Sequence, residues 1–194
     1  MTPLIFIAGG HPPDAAHWHS LWAAQLPGVV RLQPDDGLPP RRAHWVDTLT
    51  TAIHAQEQPV VLVGHGLGCI AITHLPAAVA QRVHGALLVA PCDPARRGVL
   101  VDFTPVPYQP LPYRSILVAS SNDPFCPVRT AGAYARSWGC EFVRLQKAGH
   151  INAAAGFGPW PLGLALLQSL QAQNTPPPQP HHPTLQPSPQ QALA

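Results

Sequence analysis

A chain of 194 residues has the length of one domain with a sizeable core and no room for two enzyme domains. Its formal net charge is +2, only 10% of residues are charged, and its Lys and Arg are scattered, so no face can hold a phosphate backbone and no nucleic-acid partner is expected. Cys69, Cys92, Cys126 and Cys140 show neither C-x-x-C spacing nor a His pair at zinc-finger distance, so no metal or organic cofactor is expected and the thiols are read as buried in a reducing compartment.

The opening MTPLIFIAGG lacks a basic segment and reaches Gly9 and Gly10 too early for a signal-peptide core or a membrane span, so a cytoplasmic chain without membrane association is expected. Within it LIFIA reads as a strand. Trp18 and Trp22 fall on one helix face, and so do Trp45, Leu49 and Ile53 at spacing i, i+4, i+8. PVVLVG is a second apolar run, followed by a helix expected from Leu67 to about Val79. ALLVA and SILVAS follow as strands, separated by a proline-rich stretch from Arg96 to Pro112 that either caps a pocket or lies beside one. A helix is expected from Val128 to Trp138, a strand at EFVRLQ, and a helix from Pro159 to Leu170, where Pro161 sits in the first turn and is tolerated there.

The apolar runs show little polar alternation, as strands covered on both faces do. With helices alternating in βαβα order, they predict an α/β fold: a doubly wound, mostly parallel sheet in three layers. The domain is expected over residues 1–172. Residues 173–194 are rich in Pro and Gln without apolar periodicity and are expected to be a disordered tail; a short polyproline segment that docks on a protein partner is the functional alternative.

In such sheets ligands bind beyond the carboxyl ends of the strands. After PVVLV comes Gly64-His65-Gly66-Leu67-Gly68 and then an apolar helical stretch. A dinucleotide fingerprint would need Gly or Ala where Cys69 stands and would follow the first strand, so that reading fails. A nucleophile elbow, G-x-S-x-G, fits both flanking glycines and the strand-to-helix context, with Gly66 in place of Ser. Asp123 follows the SILVAS strand and His150 follows EFVRLQ; elbow, Asp, His is the order in which α/β-hydrolases supply nucleophile, orienting carboxylate and base.

The segments AGGHPPDAAHWHSLW, VLVGHGLGC, LLVAPCDP, LPYRSILVASSNDPFC and WGCEFVRLQKAGHINAAAGFGPWP resemble the small serine hydrolases of the α/β-hydrolase fold, a family that includes bacterial esterase-like proteins and retinoblastoma-binding-protein homologues. The resemblance extends to about Leu170. It implies a carboxyl-ester hydrolase frame with the nucleophile position at Gly66, the acid at Asp123 and the base at His150. It further implies oxyanion donors at the backbone N–H of Leu67 and in the loop of Gly10 and His11, with His17 and Trp18 packed under that loop. A small acyl or ester ligand is the implied partner.

Glycine offers no atom to attack an acyl carbon, so acyl transfer is expected to be impaired. The turn itself should survive, because glycine accepts the strained backbone of an elbow without a Cβ clash. Three readings stand together: a non-catalytic relative that binds an acyl or carboxylate ligand or a protein partner, an inactivated form of a working esterase, or weak hydrolysis by a water placed beside His150.

Overall fold

The computed structural model describes residues 2–9, 14–34 and 39–172; the tail expected at 173–194 lies outside the described residues. The described residues include six strands: β1 (Leu4–Ala8), β2 (Val29–Leu32), β3 (Val60–His65), β4 (Val83–Val89), β5 (Arg114–Ser120) and β6 (Glu141–Leu145). They lie in the order β2-β1-β3-β4-β5-β6, and each pairing is parallel. Around them run α1 (Trp18–Gln25), α2 (Arg42–His54), α3 (Leu67–Thr73), α4 (Ala77–Ala80), α5 (Val128–Trp138) and α6 (Pro161–Gln171).

The two-residue period of a strand divides the core in two. Ile5, Ile7, Val60, Leu62, Ala86, Leu88, Leu117 and Ala119 point to one face, where they meet α2, α3 and α5. Their neighbours Leu4, Phe6, Val61, Val63, Leu87, Val89, Ile116 and Val118 point to the other face and meet α1 and α6. Burying each of the larger aliphatic side chains contributes about 1.5–3 kcal/mol, which makes this double-sided sheet the main source of stability. The architecture is the three-layer α/β sandwich expected. Among the described residues no helix is long and apolar enough to cross a membrane.

Three details differ from expectation. Strand β2 was not foreseen: it is four residues long, half-exposed and interrupted by Arg31, so no apolar run marks it. The helix expected from Leu67 to about Val79 breaks after Thr73 and restarts at Ala77, because Pro76 lacks an N–H and turns Leu75 away from helical backbone. Between β4 and β5 two 3-10 turns, Pro94–Arg96 and Gly98–Phe103, replace the crossover α-helix of a strict βαβα order. That stretch packs on the α2–α3–α5 side: Phe103 meets Trp45 edge-on at 5.9 Å, and Trp138 Nε1 donates to the Pro107 carbonyl at 2.7 Å. Asp102 within it caps α2 from outside, its Oδ2 accepting the Arg42 N–H at 2.6 Å.

Candidate active site

All strands run the same way, so the residues that follow β1, β3, β4, β5 and β6 gather on one edge. The backbone ladder continues past the strand ends there: Gly9 N donates to His65 O at 3.1 Å, Gly66 N to Val89 O at 3.1 Å, Ala90 N to Val118 O at 2.8 Å and Ser121 N to Leu145 O at 2.9 Å. Gly66 is therefore fixed at the centre of this edge, between the end of β3 and the first turn of α3.

Its backbone has φ +58° and ψ −119°, a conformation that costs a residue with a Cβ about 1–3 kcal/mol. The strained elbow is thus present with glycine at its apex. The flanking glycine serves a different purpose: a Cβ on Gly68 would come within 2.3 Å of Ile7 O, so α3 can lie against β1 only without one. At Gly66 itself, among the described residues beyond its chain neighbours, a Cβ would meet within 4 Å only the His150 ring, with Nε2 at 3.3 Å and Cε1 at 3.8 Å.

His150 Nδ1 lies 2.9 Å from Asp123 Oδ2 and 3.1 Å from Oδ1. A carboxylate only accepts, so Nδ1 carries a proton, and in the neutral ring the lone pair lies on Nε2, facing Gly66. Asp123 is almost wholly buried and also accepts the Phe125 N–H through Oδ1 at 2.9 Å. The two loops are stitched together besides. Ser120 Oγ donates to Asn122 Oδ1 and accepts the Ala148 N–H, Asn122 Oδ1 accepts the Gly149 N–H, and Ser121 Oγ accepts the Lys147 N–H, each at 2.8–2.9 Å.

Several supports act through contacts the sequence does not show, although His17 and Trp18 were expected to pack near the site. His65 Nε2 donates to the His150 carbonyl at 2.9 Å, and burial pushes its imidazole well below the usual range, which keeps it neutral. Phe125 sets an edge against the His150 ring at 4.6 Å and is itself covered by the Arg97 guanidinium at 4.8 Å. Trp18 Nε1 donates to the Ile151 carbonyl at 2.8 Å, holding a β-branched residue at φ +48° directly after His150. His17 caps α1, its Nδ1 accepting the His19 N–H at 3.1 Å, while its ring stands 5.0 Å from that of His65.

The structure therefore brings Gly66, Asp123 and His150 together. Leu67 N heads α3 beside them, and Gly9 approaches so closely that a Cβ there would stand 2.7 Å from Leu67 N. Gly10 and His11 lie outside the described residues, and with them the loop under which His17 and Trp18 were expected. A cavity of about 640 Å³ between α1 and β2, lined among others by Ala8, His19, Arg31 and Gln33, includes none of the three central residues.

Other candidate nucleophiles are occupied or remote. Cys69 is fully buried, its Sγ donating to Val89 O at 3.3 Å, and burial raises its thiol well above the ordinary value. Burial likewise pushes Cys92 up to about 12.

Comparison with known proteins bears on the family and the fold. YdeN of Bacillus subtilis (strain 168) is 26% identical over 193 residues, spanning 90% of this chain and 100% of that protein. The crystal structure of a YdeN-like protein from Pectobacterium atrosepticum is 31% identical, with a TM-score of 0.79 over 87% of this chain and 90% of the other. Est1E from Butyrivibrio proteoclasticus shares the fold at 12% identity, with a TM-score of 0.65 over 89% of each chain. Residues 4–169 match the serine hydrolase family, and the chain belongs to that family, with its α/β-hydrolase fold.

Proposed function

We propose that the chain carries a carboxyl-ester hydrolase site in which Gly66 occupies the nucleophile position, Asp123 orients and His150 is the base, and that acyl transfer to the protein is impaired. One observation carries the reading. Among the described residues beyond its chain neighbours, a Cβ at Gly66 would touch the His150 ring alone, at 3.3 Å from the one nitrogen that Asp123 does not engage. A serine hydroxyl one bond further out falls within hydrogen-bond reach of that nitrogen, the relation a nucleophile and its base require. Leu67 N–H, with an N–H from the loop of Gly10 and His11, supplies the oxyanion donors in this reading.

Loss of the nucleophile from such a triad lowers turnover by roughly a million-fold, the remainder coming from binding and the oxyanion donors. A second reading follows from the same missing hydroxyl: a site that holds a small acyl or carboxylate ligand, or a protein partner, without turnover. The four unbridged cysteines suit a reducing compartment such as the cytoplasm.

The test is covalent labelling with a fluorophosphonate of the native chain and of Gly66→Ser, each checked for folding by circular dichroism. Labelling of the variant alone supports the assignment. A folded Gly66→Ser that stays unlabelled overturns it.

A further inference from the structure

Resting on that assignment of Asp123 and His150, we propose that this chain hydrolyses activated carboxyl esters by a single displacement, in which water replaces the missing hydroxyl as the attacking group. The observations that carry it concern how the base is aimed. In many sites of this type the serine hydroxyl is itself one of the groups that fix the imidazole. Here the ring is fixed without it: Asp123 holds Nδ1, Phe125 packs an edge at 4.6 Å, the His65 ring lies 4.7 Å away, and the His65 N–H holds the His150 carbonyl. Nε2 therefore keeps its direction toward Gly66 whether or not a side chain stands there.

The space it faces suits a small diffusible oxygen. Among the described residues, its two chain neighbours aside, only the His150 ring lies within 4 Å of where a Cβ would stand on Gly66. A free oxygen must keep van der Waals distance from the Gly66 Cα, about 3.5 Å, so it sits further out than a serine Oγ, toward the acyl group. It still reaches Nε2 at an ordinary hydrogen-bond distance. Among the described residues the side-chain oxygens and sulfurs near the elbow are buried or engaged, Cys92 by burial alone. Cys69 Sγ is bonded to Val89 O, and Ser120 is fully buried with its hydroxyl engaged by Asn122 and Ala148.

The step balances within the site. His150 Nε2 takes a proton from water as the water oxygen bonds to the acyl carbon, and the carbonyl π pair moves to oxygen, where the Leu67 N–H stabilises it. The oxyanion then re-forms the carbonyl and breaks the bond to the leaving oxygen, which receives the proton from Nε2. Ester and water become acid and alcohol, and His150 returns to its starting form. No acyl group is ever attached to the protein. Esters of acidic alcohols such as phenols are the substrate class, since one imidazole must serve both halves of a single step and a good leaving group lightens the second.

The experiment follows p-nitrophenyl acetate hydrolysis by the full native chain, His150→Gln and Gly66→Ser, with intact-mass analysis of acid-quenched samples. The native chain is expected to turn over slowly, without an initial burst and with unmodified mass, and His150→Gln to lose about a hundred-fold of the rate above buffer. A native rate unchanged by His150→Gln, or an acetylated native chain, overturns the proposal; the burst and mass readouts use the native protein and do not depend on the variant folding. If Gly66→Ser is labelled by fluorophosphonate while native turnover ignores His150, the water route falls and the site assignment stands. If folded Gly66→Ser is unlabelled as well, both fall.

Discussion

The His65 imidazole donates to the His150 carbonyl at 2.9 Å, so the residue beside the elbow apex holds the residue that faces it. The first prediction follows. His65→Phe keeps a flat ring but leaves a carbonyl without its donor, which costs about 1–3 kcal/mol in urea denaturation. In the Gly66→Ser background, displacement of His150 should slow fluorophosphonate labelling by roughly ten- to a hundred-fold. His65→Gln, which retains an N–H donor, should recover part of that rate. Equal labelling by all three proteins would show that His65 has no part in positioning the base.

Much of this site was legible before the structure, because turn chemistry and strand burial are local properties. The glycines around His65, the apolar runs before Asp123 and His150, and the helix faces of Trp45, Leu49 and Ile53 all announce themselves within a few residues. The supports do not. Trp18 reaches the Ile151 carbonyl across 133 residues, and a bond from a side chain to a distant backbone oxygen leaves no pattern at either end. Trp18 and Trp22 did read correctly as one buried face, yet the stacking of Trp22 on Trp160, the edge contact of Trp18 with Trp160 and the anchoring of the His150 loop depend on how α1 and α6 meet on the sheet. Strand β2 was missed because an edge strand need not be apolar. Pro76 marks the break within the sequence, and the helix expected to about Val79 ran through it.

Gly66 and Gly68 should respond oppositely to substitution, although they are two residues apart. Gly66→Ser meets the backbone strain at φ +58° and a Cβ contact of 3.3 Å with the His150 ring, which a small shift of that ring relieves, so a loss of about 1–3 kcal/mol is expected together with a gain of reactivity. Gly68→Ala drives a methyl into Ile7 O at 2.3 Å and must push α3 off β1. Denaturation midpoints measure both: Gly66→Ser should fold, while Gly68→Ala should be far less stable or fail to accumulate. Comparable midpoints for the two would contradict the steric argument.

The cysteines provide a control for any labelling experiment. Burial raises the thiols of Cys69, Cys92, Cys126 and Cys140, with Cys92 and Cys126 at about 12, so little thiolate exists at neutral pH. The native chain should resist iodoacetamide at pH 8, with the half-buried Cys140 modified first, and all four should react once the chain is unfolded. Peptide mapping after a timed quench reads the order. Rapid native modification of Cys92, whose N–H donates to Gly66 O at 3.4 Å, would reopen the question of a substitute nucleophile.

Acid should weaken the fold through a row of neutral histidines. The His17 ring lies 5.0 Å from His65 and 6.2 Å from His19. Burial, then the charge of His150, lowers His17 to about 4; burial, then His17 and Arg31, lowers His19 to about 3. In the unfolded chain each titrates near 6.5. Between that value and the folded one, the unfolded state binds the proton and the native state does not, so stability rises with pH and falls on acidification. Each such histidine contributes about 1.4 kcal/mol per pH unit within its window. Urea midpoints should therefore drop from pH 7 downward, the His17 share levelling off near 4 and the His19 share near 3. His19 offers the sharper test, because both of its ring nitrogens are buried without a hydrogen-bond partner beside the cavity that it lines. His19→Phe removes those unsatisfied groups and the titration together, and the neighbouring cavity leaves room for the larger ring. The variant should be more stable than the native chain at pH 5 and show a shallower slope between pH 7 and 4; an unchanged slope would mean that His19 already binds its proton in the folded state.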